Sequence, residues 1–357
     1  MAPSRQQRVA SKTGHSQIAR KCANSAQKRP DSLDFPVELQ QAILDVFRRA
    51  FSFDDQLDVK TVIQQVKGHL FLRDFASAFA KQEYLDAYAL RWSASRALGY
   101  TDIFLHGDLH QAWLGKTTSS SSARREPHST SASRIACIGG GGGAEVAACS
   151  AAAKAYALSR LEVHAIDIAD WSTCLTKLEN ALCTPPQISS FASESAKAAS
   201  KPLIASDQLS LHFSQRDIFT ADEGEFGDML GDVDLCTIMF TLNELFTHSI
   251  SRTTAFLLAL TDTMQPDSWL LVVDSPGSYS EVKLGQGDEA KTKQYPMKWL
   301  LDHTLLEVAG SENSKWKKHV SDDSRWFRLN ASLKYPIGLE NMRYQIHLYQ
   351  RIGSEAS

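Results

Sequence analysis

The sequence predicts an α/β fold in which a mainly parallel sheet carries helices on both faces, plus an N-terminal helical extension. From residue 134 onward, short β-branched or apolar runs alternate with helical stretches, as in parallel strands joined by right-handed crossovers. A run of five glycines separates the first of these strands from the first helix. The composition is that of a folded chain, since 43% of the 357 residues are hydrophobic and 22% are charged.

The N-terminal tail, residues 1–33, has the composition of a disordered basic segment. Its first thirty residues contain seven Lys and Arg side chains and no acid, which leaves −10 on the rest of a chain whose total charge is −3. It has few bulky apolar side chains to offset the entropy of ordering. A nucleic-acid-binding or import arm, a mitochondrial transit peptide and a solvated tail without function all fit this composition.

Residues 34–116 form a predicted helical N-terminal region. Apolar residues recur there at helical spacing, which predicts helices over 36–51, 59–72 and 74–98. The region is either a small domain or an extension packed on the part that follows.

A Ser/Thr-rich stretch, residues 117–133, has the composition of a linker and leads into a domain over 134–352. A low-complexity insertion rich in Pro, Ser and Ala interrupts this domain at 184–207. The predicted elements of the domain are strand 134–138, helix 145–159, strand 162–166, helix 171–182, strand 209–214, strand 233–240, helix 251–263, strand 269–274 and strands near 326–329 and 344–350.

Two classes of protein are not expected from this sequence. Its apolar runs are far shorter than the 18 or more residues that span a bilayer, and no secretory signal is evident, so we expect a soluble intracellular chain without a membrane partner. The six cysteines show no CxxC pair, so we expect neither a disulfide framework nor a metal site.

The glycine run, residues 139–143, is the strongest functional signal. With Ala144 it satisfies GxGxxA between a strand and a helix, a pattern that brings the backbone close to a nucleotide-type cofactor. A flexible loop is the alternative. The candidate cofactor contacts are Gly139, Gly140, Gly141, Gly143 and, at the start of the helix, Glu145.

Acids follow the next two strands. Asp167 ends the second strand, where a carboxylate can accept hydrogen bonds from both ribose hydroxyls; Asp170 is its rival, and either acid can instead cap the next helix. Asp217 follows the third strand, where an acid can accept from an adenine amino group or can simply lie in a loop.

Polar residues also follow the fourth strand. Thr241, Asn243 and Glu244 stand at the carboxyl end of the sheet, where open α/β folds bind ligands. They are candidates for cofactor or substrate contacts, and helix capping is the alternative. A single glycine loop argues against a dinucleotide, which needs two mononucleotide halves, so S-adenosylmethionine fits better.

The glycine loop, Asp167, Asp217 and segment 241–245 occur in the order found in class I methyltransferases, and the chain resembles this seven-stranded, Rossmann-like, S-adenosylmethionine-dependent class. More narrowly, it resembles the fungal family that includes the large-subunit (25S) rRNA uridine-N3 methyltransferase, over most of residues 35–351. The segments that carry this narrower resemblance are 84–98, 139–145, 166–171 and 344–349.

The resemblance implies methylation of N3 of a uridine, with large-subunit rRNA or a pre-ribosomal particle as partner and a nucleolar or cytoplasmic location in preference to a mitochondrial one. Loss of the N3 proton calls for a general base, and Glu244 and Asp274 are the candidates for it. Asn243 is a further candidate catalytic residue. A protein or small-molecule methyltransferase, favoured by the acidic body, and a non-catalytic cofactor-binding ribosome-assembly factor are the alternatives.

One position departs from the family pattern. Cys137 stands two residues before the first glycine, where the family usually has an acid. The usual acid forms a hydrogen bond with the glycine loop or with the methionine end of the cofactor. Glu145 either takes over this hydrogen bond or only interacts favourably with the helix dipole.

Two clusters combine cations with aromatic rings. Trp92 and Arg96 are i and i+4 neighbours on a predicted helix that either packs on the sheet or folds over the cofactor mouth. Segments 315–319 and 325–328 interleave cations and aromatics, which is typical of single-stranded RNA contacts; solvated loops with core aromatics are the alternative.

Overall fold

The computed structural model describes residues 32–52, 58–114, 132–187, 193, 200–277, 279–284, 291–310 and 314–353. The basic tail through residue 31, the predicted linker through residue 131 and much of the low-complexity insertion therefore lie outside the described residues.

Helices make up most of the described N-terminal region. They are α1 (Val37–Ala50), α2 (Val59–Phe71), α3 (Phe75–Ala78), α4 (Gln82–Tyr88), α5 (Ala94–Phe104) and α6 (His110–Leu114). A π-helical turn, Ala89–Ser93, joins α4 to α5.

The single helix predicted over 74–98 is wrong, and the packing explains why. The rings of Phe79 and Tyr88 both contact Trp171, with centroid distances of 5.2 and 5.6 Å. These two residues are nine apart, which would place them on opposite sides of a continuous helix at 3.6 residues per turn. The break between α3 and α4 lets both rings reach the same indole.

The other described strands and helices follow in chain order. The strands are β1 (Ser133–Ile138), β2 (Leu161–Asp167), β3 (Leu209–Gln215), β4 (Leu235–Met239), β5 (Trp269–Asp274), β6 (Tyr279–Leu284), β7 (Lys291–Pro296), β8 (Trp316–Phe327) and β9 (Met342–Arg351). The helices are α7 (Ala144–Ala155), α8 (Ser172–Cys183), α9 (Glu223–Leu230), α10 (Leu242–His248), α11 (Ile250–Thr263) and α12 (Met297–Asp302).

Seven of these strands form one sheet in the order β3-β2-β1-β4-β5-β9-β8, and β6 and β7 form a separate hairpin. The first five are parallel, whereas β9 runs antiparallel to both β5 and β8. The predicted seven-stranded, mainly parallel Rossmann-like sheet is confirmed. The strand order reverses between β1 and β4, so the carboxyl ends of these two strands flank the crevice in which such folds bind ligands.

Apolar side chains cover both faces of the sheet. One cluster includes Leu257 of α11 and Val272 of β5, and the other joins the N-terminal helices to α7 and the sheet. Leu98 and Phe104 of α5 are fully buried in the second cluster, together with Ala147 of α7. The N-terminal helices therefore share a core with the sheet, as an extension packed on it.

Strand β8 is longer than the strand predicted near 326–329, because it begins at Trp316. It includes most of segment 315–319, for which a solvated loop was one of the alternatives. Its outer side chains are mostly polar and partly or fully exposed, as is usual for an edge strand. Trp316 is buried, and its Nε1 donates to Oγ1 of Thr261 at 2.9 Å.

The described residues contain neither a membrane-spanning helix nor a cluster of metal ligands. None of their helices combines the length and the apolar character needed to cross a membrane. Nor do they contain a group of three or more His, Cys, Asp and Glu side chains placed to hold a metal ion.

Candidate active site

The glycine loop, residues 139–143, joins β1 to α7 and requires glycine at several positions. Gly139 and Gly143 both have a φ of 76°, in the left-handed region that other residues disfavour. A Cβ atom on Gly139 would collide with Oγ1 of Thr241, and one on Gly141 would collide with the indole of Trp171. The loop is therefore held closely between the connection that follows β2 and the one that follows β4.

Asp167 ties this loop to the end of β2. Its Oδ2 accepts the N–H of Gly141 and its Oδ1 accepts the N–H of Ala169, both at 3.1 Å. Burial raises the pKa of Asp167, and these hydrogen bonds oppose the shift. A carboxylate offers about four acceptor sites, so Asp167 keeps capacity for the hydroxyls of a ligand. Its rival Asp170 is exposed and accepts the N–H of Ser172, which is a capping role at the start of α8.

Asp217 lies just beyond β3, at the same edge of the sheet. The N–H of Arg216 donates to the backbone carbonyl of Asp167 at 2.7 Å, which joins the two chain segments next to both acids. The Asp217 carboxylate is partly exposed and accepts the N–H of Phe219 at 2.9 Å. The structure thus brings Asp217 to the edge occupied by Asp167, and its contact with a ligand stays a prediction.

A partly buried cation, Arg96, and a buried acid, Glu145, lie beside the start of α7. Glu145 is only 3% exposed, and its Oε1 has no hydrogen-bond partner among the described residues. Burial raises the pKa of Glu145 to about 8, although the nearby Arg96 guanidinium favours the charged form. Arg96 donates from Nη1 to the hydroxyl of Tyr88 at 2.8 Å, and its guanidinium lies 4.8 Å from the ring centroid of Phe240. A ligand group with both charges would find a complementary partner for each.

The exit of β4 is a strained turn. Phe240 has a φ of 55°, a left-handed conformation that is uncommon in residues other than glycine and that clusters at functional sites. The next residue, Thr241, lies against Gly139 and donates from Oγ1 to the carbonyl of Met239 at 3.2 Å. The turn therefore places the start of α10 beside the glycine loop.

Asn243 and Asp274 are joined by a hydrogen bond. The N–H of Asn243 donates to Oδ2 of Asp274 at 2.9 Å, and the N–H of Ser275 donates to Oδ1 at 2.7 Å. Asp274 is 3% exposed, and burial raises its pKa to about 6, with a further contribution from Glu244. The Oδ1 atom of Asn243 is buried and has no partner within the described part of the chain.

Glu244 forms an ion pair outside this hydrogen-bonded pair. Its Oε2 lies 3.4 Å from Nη1 of Arg73, in the turn between α2 and α3, and both side chains are substantially exposed. This ion pair joins the N-terminal helices to α10, so the helical extension contacts the sheet domain at the carboxyl edge of its strands.

The helical extension also covers the glycine loop. A Cβ atom on Gly142 would lie 3.0 Å from Oγ of Ser93 and 3.2 Å from the Tyr88 ring. The cation–π contact that the i, i+4 spacing of Trp92 and Arg96 allows is not formed: Arg91 lies 5.7 Å from the centroid of the Trp92 ring, and Arg96 faces Phe240. The intervening π-helical turn changes the angular spacing on which the i, i+4 expectation rested.

S-adenosylmethionine fits these residues. The close glycine cradle and the acceptor capacity of Asp167 suit a nucleoside, and the unused Oε1 of Glu145 suits an ammonium group. Cys137, which replaces the usual acid, is fully buried. Glu145 is therefore the acid beside the loop that retains a free acceptor atom.

A comparison with protein families decides the class. The family model described as "Putative SAM-dependent methyltransferase" matches residues 45–350, which include α2 to α12 and all of the seven-stranded sheet except Arg351. The chain belongs to this methyltransferase family. S-adenosylmethionine is the methyl donor of the family, in agreement with the fit of the site.

Among curated proteins, this methyltransferase is similar to the 25S rRNA (uridine(2843)-N(3))-methyltransferase of Saccharomyces cerevisiae. The two are 29% identical over 334 residues, which cover 87% of this chain and 85% of the yeast enzyme.

Solved structures of methyltransferases show more distant similarity. A SAM-dependent methyltransferase from Methanosarcina mazei is 11% identical, with 62% of this chain and 93% of that chain covered and a TM-score of 0.34. An O-methyltransferase family protein from Burkholderia thailandensis is 12% identical, with 82% and 73% covered and a TM-score of 0.34.

Several residues of this candidate site were not among the sequence-based candidates. Tyr88 and Phe240 contact Arg96, and Gln345 of β9 lies opposite Asp274 and donates from Nε2 to the carbonyl of Ser275 at 2.7 Å. The sequence carries no local signal for these roles, because each depends on a contact between distant segments or on a backbone φ angle.

Proposed function

We propose that this methyltransferase methylates N3 of a uridine in large-subunit rRNA. The observation that carries the proposal is the similarity to the yeast uridine-N3 enzyme, which extends over 87% of this chain and 85% of that enzyme. Similarity over this length includes the helical extension as well as the sheet. It therefore extends to the helices that cover the glycine loop at the carboxyl edge of the strands, in addition to the loop itself.

The bound donor supplies a methyl group on a sulfonium centre, which is open to direct displacement. The contribution of the chain is then to align the two reactants and to exclude water. The glycine loop, Asp167 and Asp217 would hold the nucleoside part of the donor. Glu145 and Arg96 would hold its amino-acid part, and Thr241 would support the loop through Gly139.

Asp274 is the best general base for the N3 proton. Its burial raises its pKa to about 6, so at neutral pH it is mostly ionised yet more basic than an ordinary aspartate. Glu244 is the weaker candidate, because it forms an ion pair with Arg73 and is more exposed. Asn243, joined to Asp274 and with an unused Oδ1, would help to position the base ring.

N3 lies on the Watson–Crick edge of uridine, so the target nucleotide has to be unpaired or flipped out of a helix. A nucleolar or cytoplasmic location belongs to the same proposal. Fusing residues 1–33 to a fluorescent reporter would test whether the basic tail directs the protein there.

The decisive experiment is transfer of radiolabelled methyl from S-adenosylmethionine into total RNA from a strain that lacks this gene, followed by nucleoside analysis. We expect label in 3-methyluridine of large-subunit RNA with the wild type and a strong loss with Asp167→Ala. Asp170→Ala is the matched control, because this acid lies three residues away and only caps α8. Absence of RNA label from a protein that binds the donor would overturn the proposal.

A protein or small-molecule methyltransferase is the second candidate. The net charge of −10 outside the first thirty residues favours it, because RNA affinity comes largely from phosphate neutralisation. In the same assay, label would then appear in protein or in the small-molecule fraction.

A further inference from the structure

An exposed tryptophan near the end of β8 lies beside two arginines. The side chain of Trp326 is 49% exposed, and its ring centroid lies 4.1 Å from the guanidinium of Arg328 and 5.7 Å from that of Arg343. Exposure of so large an apolar ring is unfavourable for the isolated protein. We call these three residues the Trp326 platform.

The arginines of the Trp326 platform keep their charge unneutralised. Both are exposed, and neither forms an ion pair with a carboxylate of the described residues; Arg343 donates from Nε only to Oγ of Ser324. The acids of this part of β8 are already paired, Asp322 with Arg325 and Asp323 with Lys298. The platform is therefore a local positive site on a body that is acidic overall.

Strand register places the Trp326 platform at the active edge of the sheet. Asp274 of β5 lies opposite Gln345 of β9, and Arg343 of β9 lies opposite Trp326 of β8. Residues two apart on a strand share a face, and so do residues directly opposite each other on neighbouring strands. Asp274, Gln345, Arg343 and Trp326 thus belong to one face of the sheet.

The same register gives the distance from the proposed general base. Two strand spacings of about 4.8 Å and two residues of about 3.4 Å separate Asp274 from Trp326, or roughly 12 Å between their Cα atoms. At about 3.4 Å per stacked nucleotide, this distance corresponds to roughly four nucleotides. A strand whose target base reaches Asp274 would therefore extend as far as the platform.

Two other cation–aromatic contacts among the described residues lack this combination. Arg91, next to Trp92, forms an ion pair with Glu340, and Lys318, next to Tyr349, forms one with Asp302. In both cases a carboxylate already neutralises the cation.

We propose that the Trp326 platform binds single-stranded RNA that flanks the methylated uridine, with a base stacked on Trp326 and phosphates bound by Arg328 and Arg343. The identity of this RNA as the substrate rests on the proposed function. Stacking on an exposed aromatic ring and neutralisation of phosphate are the two contributions that sequence-tolerant binding of single strands requires. The platform would thus supply local affinity that the acidic body does not.

The test is fluorescence anisotropy of the full chain with a labelled, uridine-containing single-stranded RNA oligonucleotide. We expect Trp326→Ala to weaken binding roughly 10-fold. Trp326→Phe should keep most of the wild-type affinity, because phenylalanine still offers an aromatic ring on which a base can stack. The double variant Arg328→Gln/Arg343→Gln should weaken binding. It should also make the slope of log K against log salt concentration shallower by about 1.4, since each phosphate contact on a single strand contributes about 0.7 to that slope.

The matched control is Lys154→Gln/Arg160→Gln, which removes the same charge at the opposite end of the sheet, in the last turn of α7 and just before β2. It should bind RNA nearly as the wild type does. All variants should keep the wild-type affinity for S-adenosylmethionine and the wild-type melting temperature, which excludes misfolding as the cause of lost RNA binding.

The outcomes separate the two proposals. If the platform variants bind RNA as tightly as the control while the wild type methylates RNA, the platform is wrong and the proposed function stands. If the wild type binds RNA through Trp326 but labels only protein or metabolite, the platform stands as a single-stranded RNA site, whereas the proposed function and the identity of that RNA as the substrate are overturned. If the wild type does not bind the oligonucleotide, the platform is wrong whatever the methyl acceptor is.

Discussion

Glu244 Oε2 lies 3.4 Å from Nη1 of Arg73, whereas Asp274, close to Glu244, forms no ion pair within the described residues and is almost completely buried. The two acids beside Asn243 thus have different environments. An exposed carboxylate paired with arginine is a poor proton acceptor, and a buried carboxylate with a raised pKa is a better one.

Substitution of these two acids should separate their roles. We expect Asp274→Asn to lower kcat about 10²- to 10⁴-fold, the usual contribution of general-base catalysis, and Glu244→Gln to change kcat less than about 5-fold. The measurement is single-turnover methyl transfer, with donor affinity and melting temperature as controls. Equal losses in both variants would contradict the assignment of the base to Asp274.

The pH dependence of methyl transfer should follow Asp274. Because its pKa is raised to about 6, protonation removes the general base as the pH falls through about 6. The rate with saturating substrates should therefore decrease below this pH and be nearly constant above it. A profile that stays flat down to pH values near an ordinary aspartate pKa would argue against this residue.

Donor binding should release a proton from Glu145. At pH 7 this acid is mostly protonated because burial raises its pKa from 4.5 to about 8, and a cationic donor beside it would favour the ionised form. Affinity for S-adenosylmethionine should consequently rise with pH up to about 8. Calorimetry in two buffers of different ionisation enthalpy measures the release, and Glu145→Gln should abolish it.

The same acid should influence stability with a definite sign. The folded state favours protonated Glu145, so its favourable contribution is complete below about pH 4.5 and is lost as the pH rises through about 8. Between about pH 4.5 and 8, the stability of Glu145→Gln, which cannot ionise, should decrease less with rising pH than that of the wild type without donor. Thermal unfolding across this range checks the expectation, and identical pH curves for the two proteins would refute it.

A pair of glycine substitutions should distinguish the cradle from an ordinary helix position. Gly141→Ala would collide with Trp171, so we expect a lower melting temperature and a large loss of donor affinity. Gly227→Ala, in α9, meets no atom within 4 Å and should stabilise the protein by about 0.5–1 kcal/mol with unchanged donor affinity. Calorimetric unfolding and donor titration of both variants provide the comparison.

The predicted strands and helices of the sheet domain agree well with the structure where their signals are local. The strand at 269–274 has the predicted bounds, and the glycine run lies between β1 and α7 as its position indicated. Apolar runs and left-handed glycines act through nearby backbone, so the sequence carries them directly. By contrast, the predicted strand near 326–329 was shorter than β8, because an exposed edge strand has a polar pattern that resembles a loop.

The sequence by itself determined the fold class, the place of the glycine loop between β1 and α7, and the acids at the ends of β2, β3 and β5, because each depends on the order and spacing of neighbouring residues. Only the tertiary structure brought Arg96 of the helical extension beside Glu145, and Trp326 beside Arg343. These pairs join distant segments through packing, a π-helical turn and strand register. Their contacts therefore exist only once the helical extension and the last two strands have packed against the sheet.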